Sequence, residues 1–364
     1  MSWVWVFLGF SLLIILHEAG HFFAAKWTGM RVEKFFLFFG PKIWSVKRGE
    51  TEYGVAAIPA GGYVKISGMN PDDVLPEGEE HRGYYEMPVW KRIVVIGAGP
   101  AVNIVLAFAI FFGVYLTSAQ EGTQKVGEIE RGSPAAAHLQ SDDRIVAVDG
   151  HAYPGLGLGD RLERFRDDVA AHECAGEPRQ GCLAATPVSL RIVRDGEPET
   201  ISLRPEYDPA LERTRIGFAY GTEPADLGVG AAADQSLGFM WEITTKTVTV
   251  FANLLDAENR KEVSGVVGTS EVAHQTIDKF GLTEALLLLA VVSLSLGLIN
   301  LFPFLPLDGG HIFWSLVEKV RGKRVPFSVM ERAGAVGFVL VIMLFFLGLS
   351  NDIGRLTGEG FNVR

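Results

Sequence analysis

Four long apolar segments punctuate the chain, at residues 3–25, 93–116, 282–302 and 333–349. A hydrocarbon core takes about 20 helical residues to cross, so each predicts a transmembrane helix, the fourth being the shortest. Residues 32–69 are also apolar, but they alternate with polar positions and are broken by Gly and Pro. That pattern predicts short strands in a membrane-associated hairpin region rather than a span. Residues 117–281 are too polar for a membrane and long enough for a domain. Their first half predicts strands, with "PVSLRIVRDGEPETISLRP" a hairpin turning at Asp195-Gly196. Residues 230–255 predict a helix, either on a membrane surface or packed on the soluble domain.

The expected partition follows from these shifts. Residues 1–30 hold the first span, 31–92 the β-rich loop and a cytoplasmic segment, and 93–117 the second span. Residues 118–208 form a soluble domain, 209–281 a helical surface segment, 282–311 the third span, and 312–364 a loop, the fourth span and a tail. The fold class is therefore a multi-span α-helical membrane protein with a β-hairpin region and an α/β extracytoplasmic domain.

Composition sharpens this picture. Of 364 residues, 48% are hydrophobic, high for a purely soluble protein. The net charge of −10 comes with no basic stripe, which excludes a nucleic-acid partner. Two cysteines, Cys174 and Cys182, rule out a Cys-rich zinc framework. They sit in a polar insert, where a disulfide suits an oxidising compartment. Lys26 and Trp27 follow the first span in place of a small-residue cleavage site, so it reads as a retained anchor. Lys and Arg crowd the loop between the first two spans (Lys26, Arg31, Lys34, Lys91 and Arg92 among them). They also crowd the loop between the last two (Lys319, Arg321, Lys323, Arg324, Arg332). The positive-inside tendency makes both loops cytoplasmic, with both termini and the soluble domain outside.

The first span carries an anomaly, "LLIILHEAGHFFAAKW" at residues 12–27. His17 and His21 are four apart, so on a helix they share a face and can offer two nitrogens to one ion. Glu18 adjoins them and can serve as general base to a metal-bound water. Interhelical hydrogen bonds or a proton path are the plainer reading, but neither needs this spacing. Lys26 lies nine residues beyond His17, which puts the site about 13 Å inside the cytoplasmic end. A catalytic metal needs a third ligand and an open position. "NLFPFLPLDGGHI", residues 300–312, lies at a matching depth, with Pro303 and Pro306 breaking the helix before Asp308. Asp308 is the candidate ligand, against a plainer role as a turn aspartate. His311 reads as a supporting or surface residue, and His81, His138, His151, His172 and His274 as ordinary polar positions. Asn103, expensive in lipid, is expected to bond to another helix.

With "HEAGH" in the first span and "NLFPFLPLDGG" in a later one, the chain resembles the site-2 protease family of intramembrane zinc metalloproteases. "IPAGGYVKISGM" (58–69), "GPAVN" (99–103) and a soluble insert that resembles a PDZ domain point to the bacterial RseP-like branch. The resemblance implies Zn2+ held by His17, His21 and Asp308, with Glu18 as base and Asn300 holding or polarising substrate. It implies a bacterial inner membrane and single-pass membrane substrates, such as anti-sigma factors or remnant signal peptides. Family members often carry two PDZ domains, whereas this chain has room for one. Gly61, Gly62 and Tyr63 are expected to bind substrate, because small residues on a strand edge admit a second backbone. The outer domain is expected to act as a steric gate, with capture of a fresh C-terminus by the glycine-rich loop at 153–160 as the other possibility. A catalytically idle PDZ-bearing scaffold is the rival function, and a metal transporter a third. Intact Glu18 argues against the scaffold, and the lack of further ligands argues against the transporter.

Overall fold

The computed structural model describes residues 2–70, 73–209, 211–253 and 264–358. Residues 2–116 and 228–358 form one compact unit, and Thr117–Leu227 a second. In the first unit, α1 (Ser2–Thr28) is apolar on every side, as lipid-facing helices are. A hairpin follows, β1 (Val32–Arg48) and β2 (Thr51–Ile66), turning at Gly49 with φ +61°. Both strands bend midway, β1 near Phe38 and Gly40 and β2 near Gly61, all at positive φ. Residues 34–37 consequently pair on both edges, with 52–55 on one side and 62–65 on the other. The ladders run in the order 42–48, 51–56, 34–37, 62–66, which leaves 62–66 at an edge. Alternation legible in the sequence thus gives one folded-over hairpin instead of separate short strands.

The hairpin is clasped to the end of α1. Arg82 grips Glu50 through two hydrogen bonds of 2.8 and 2.9 Å, and Lys26 pairs with the same carboxylate. Arg82 and Lys26 hold the Glu50 carboxyl down at about 2, so the clasp loosens only as pH falls toward that value.

α2 (Val89–Ser118) buries one stripe, Arg92, Val95, Ile96, Gly99, Asn103, Ala107 and Phe111. The second unit follows. Its sheet runs β6-β5-β4-β3-β9, antiparallel throughout, from β3 (Gln120–Ile129), β4 (Arg144–Val148), β5 (Val188–Arg194), β6 (Glu197–Leu203) and β9 (Phe218–Pro224). α3 (Leu158–Ala170) lays Leu162, Phe165 and Val169 on that core. A small pair, β7 (Glu206–Asp208) and β8 (Arg213–Arg215), precedes β9. The unit therefore extends past residue 208, because β9 comes from beyond that point to pair with β3. A groove of about 470 Å³ is lined by α3 residues such as Leu162 and Arg166 and by 211–222. The glycine-rich stretch at 153–160 contributes nothing to its lining. Cys174 and Cys182 form a disulfide with Cα atoms 6.0 Å apart.

Back in the first unit come α4 (Val229–Ala252), α5 (Val266–Phe280), α6 (Leu282–Asn300), α7 (Asp308–Arg321) and α8 (Phe327–Thr357). α4 packs Met240 against Phe111, Ala290 and Leu294. α1, α2, α6 and α8 are long and apolar enough to cross a membrane, at 27, 30, 19 and 31 residues. The fourth apolar helix is longer than residues 333–349 suggest, because it also takes in Glu331, Arg332 and Asp352. Asp352 is fully buried and accepts from Ser264 Oγ (3.1 Å), Gly265 N (3.1 Å) and Gly268 N (2.8 Å). A carboxylate from a distant helix thereby caps the exposed amides at the start of α5. At the other end of α5, Ser2 donates to Asp278, and Trp3 stacks on His274.

Candidate active site

The helical repeat aligns His17 with His21, and the two Nε2 atoms lie 3.2 Å apart. α6 stops at Asn300, and "LFPFLPL" carries the chain round to α7, whose first residue is Asp308. Asp308 therefore opens a new helix, where α7's free amides favour a carboxylate. Its Oδ2 lies 3.3 Å from each Nε2, closing a nearly equilateral triangle. Both histidines are 7% exposed. Among the described residues no other group of three His, Cys, Asp or Glu side chains converges in this way.

The tautomer of one imidazole is set by its surroundings. His21 Nδ1–H donates to the Val95 carbonyl at 2.9 Å, which leaves Nε2 with a bare lone pair facing the triangle. α2 can supply that carbonyl only because Gly99 has no side chain. A Cβ on Gly99 would run into the His21 ring. Gly99→Ala is thus expected to push the imidazole aside and weaken divalent-cation binding about tenfold or more. Equilibrium titration of the purified variant with cobalt(II) checks this, and affinity equal to the parent's would show that the ring tolerates the methyl.

Glu18 lies beside the hairpin edge. A Cβ on Gly62 would sit 3.0 Å from Glu18 Cγ and 3.1 Å from the Phe36 carbonyl. The edge strand 62–66 and the glutamate thus meet at a point where only glycine fits. Gly61 is at the bend, and Tyr63 stacks on Phe36 and Phe39 with ring centroids 5.5 and 5.6 Å apart. Asn300 stands apart: its amide donates to its own helix at the Leu296 carbonyl (3.0 Å), with no hydrogen bond to the triangle. His311 lies one turn into α7, outside the triangle. Asn103 is fully buried, and its side-chain amide finds no partner among the described residues, although its backbone carbonyl accepts from Ser293 Oγ. Sequence reasoning does not find Val95 or the role of Gly99. "GPAVN" flags Gly99 as part of a motif but gives no contact for it.

A triangle of two imidazoles and a carboxylate is a ligand set for a divalent cation, and Glu18 puts an acid–base group next to it. The same chain carries four helices long and apolar enough to cross a membrane. The chain belongs to peptidase family M50, whose pattern matches residues 5–344. It is 30% identical over 395 residues to the zinc metalloprotease Rip1 of Mycobacterium bovis (strain BCG), with 94% of each chain covered. The Rip1 of Mycobacterium tuberculosis (strain Erdman) gives the same identity and coverage. A Clostridium perfringens (strain 13) protein is 32% identical over 356 residues, covering 96% of this chain and 98% of its own. The chain is a membrane peptidase.

Proposed function

We propose that this chain is an intramembrane zinc protease that hydrolyses peptide bonds within transmembrane segments of membrane-anchored proteins. The observation that carries the reading is the triangle of His17 Nε2, His21 Nε2 and Asp308 Oδ2, with sides of 3.2, 3.3 and 3.3 Å. Donors about 2.0–2.1 Å from a tetrahedral zinc stand about 3.3–3.4 Å apart, so the ligand set fits the metal. The His21 Nε2 lone pair, His17 Nε2 and Asp308 Oδ2 converge here, and Asp308 Oδ2 lacks a hydrogen-bond donor, which a cation would relieve.

When bound, zinc supplies Lewis acidity to water and to the scissile carbonyl. Glu18 takes the proton from the attacking water and passes it to the leaving amide nitrogen. His21, held by Val95, keeps its Nε2 lone pair on the ligand side. The edge strand 62–66 lies beside Glu18, so an unwound substrate stretch can add to it as a strand, with Gly61, Gly62 and Tyr63 in contact. Asn300, whose Nδ2 donates to the Leu296 carbonyl, has a second N–H and an acceptor oxygen with which to hold substrate. The strand–helix order and the groove of the second unit support reading it as a PDZ-like module that screens substrates. Basic residues between the first two and last two spans favour both termini and that unit outside a bacterial inner membrane, with the site nearer the cytoplasm. Anti-sigma factors and remnant signal peptides are the substrate classes this reading favours.

The test is cleavage of a model single-pass substrate by purified enzyme in detergent. Chelation is expected to abolish cleavage and added zinc to restore it. Spans carrying Gly, Asn or Pro near the cut should be cleaved at least about tenfold faster than poly-leucine spans, because a helix hides its backbone from the edge. Cleavage that survived chelation would sink the metal mechanism, and equal rates on both spans would sink strand addition.

A further inference from the structure

The helix that carries Asp308 is held at its far end by an ion pair the catalytic reading leaves unused. Arg92 of α2 is 3% exposed and grips Glu318 of α7 with both prongs, Nη1 to Oε2 at 3.0 Å and Nη2 to Oε1 at 2.6 Å. The rings of Tyr84 and Tyr85 flank its guanidinium, with centroids 5.9 and 5.5 Å away. A buried pair of this kind recovers little stability over apolar side chains of the same size, so its use lies in directionality. The fork meets a carboxylate in one geometry, whereas apolar contacts slide.

The contacts between α2 and α7 run in register. Arg92 meets Glu318, and the position where a Cβ on Gly97 would stand lies 3.9 Å from Ile312 Cδ1. Ile312 packs against the apolar cluster that includes Val95 and Ile96. Two residues on, Gly99 packs on His21, which shares the triangle with Asp308. The helices are therefore antiparallel, and each step of α7 along α2 moves Asp308 the same distance relative to His21. Between the two ends lies the apolar contact of Ile312 with α2, which tolerates sliding. A shift of about 1 Å would spoil ligand geometry without unfolding anything.

We infer that Arg92 and Glu318 are positioning residues that fix the register of α7 on α2 and so set Asp308 against the two histidines. This rests on the metal-site reading above, and the experiment separates the two. The full-length protein in detergent is titrated with cobalt(II), following the visible d–d absorption of a tetrahedral site. The parent is expected to bind one cobalt per chain. R92M/E318M, which removes both charges and keeps the volume, is expected to keep its thermal midpoint or raise it. Its cobalt dissociation constant should rise about tenfold, with a weakened or shifted band. R92K keeps the charge but loses the fork, and it should weaken cobalt binding in the same direction. Parent affinity and spectrum in R92M/E318M would overturn the proposal, since a merely stabilising pair leaves ligand geometry alone. If that variant does not fold, R92K decides, and parent-like cobalt binding in R92K overturns it. A parent that binds no cobalt would overturn the metal-site reading and this proposal with it.

Discussion

Glu18→Gln is expected to slow cleavage of a transmembrane substrate by about 10²–10⁴-fold while leaving fold and zinc content unchanged. Glutamine matches glutamate in shape, so the packing against Gly62 persists. What it lacks is the ability to accept a proton, and a base positioned in the transition state accounts for about 3–5 kcal/mol of the barrier. The measurement is single-turnover cleavage with zinc quantified on the same sample. A metal-loaded variant that kept more than about a tenth of the parent rate would move the base to another group.

Asp308→Asn is expected to fail in a different way. The triangle loses its one negative ligand, and an amide oxygen is a poor substitute beside two neutral imidazoles. Zinc affinity should fall about 10²-fold or more, and cleavage at trace zinc should fall with it. Excess zinc should restore part of the rate, whereas it should do nothing for Glu18→Gln. That contrast separates a ligand from a base. If Asp308→Asn retained zinc through exhaustive dialysis, the third ligand would have to come from elsewhere, with His311 the nearest candidate on α7.

The pattern along the chain is enough to reach the spans and much of the site. A helical period puts His17 over His21 because both lie within one element, and the broken helix in "NLFPFLPLDGG" points to Asp308, which lies 3.3 Å from both imidazoles. The loop "LFPFLPL" announces a break, but not that Asp308 starts a separate helix. Contacts between elements leave no periodic trace: nothing in "GPAVN" says that Gly99 faces an imidazole, nor in Arg92 that its partner is 226 residues away. Alternation in residues 32–69 is visible, yet the double pairing of residues 34–37 is not. It depends on bends at Phe38, Gly40 and Gly61, whose positive φ angles only Gly suggests beforehand. The boundary near residue 208 misses β9 for the same reason, since a strand's partner can lie about a hundred residues back, as β3 does.

Asp352 gives the last turns of α8 a duty outside their own helix. The first amides of α5 take their acceptor from a carboxylate some 84 residues later, so α5 cannot be completed until the end of α8 has been made. During synthesis the N-terminal amides of α5 wait without that partner. A polypeptide that stops before Asp352 therefore has every candidate catalytic side chain and still carries an α5 whose first amides lack that acceptor.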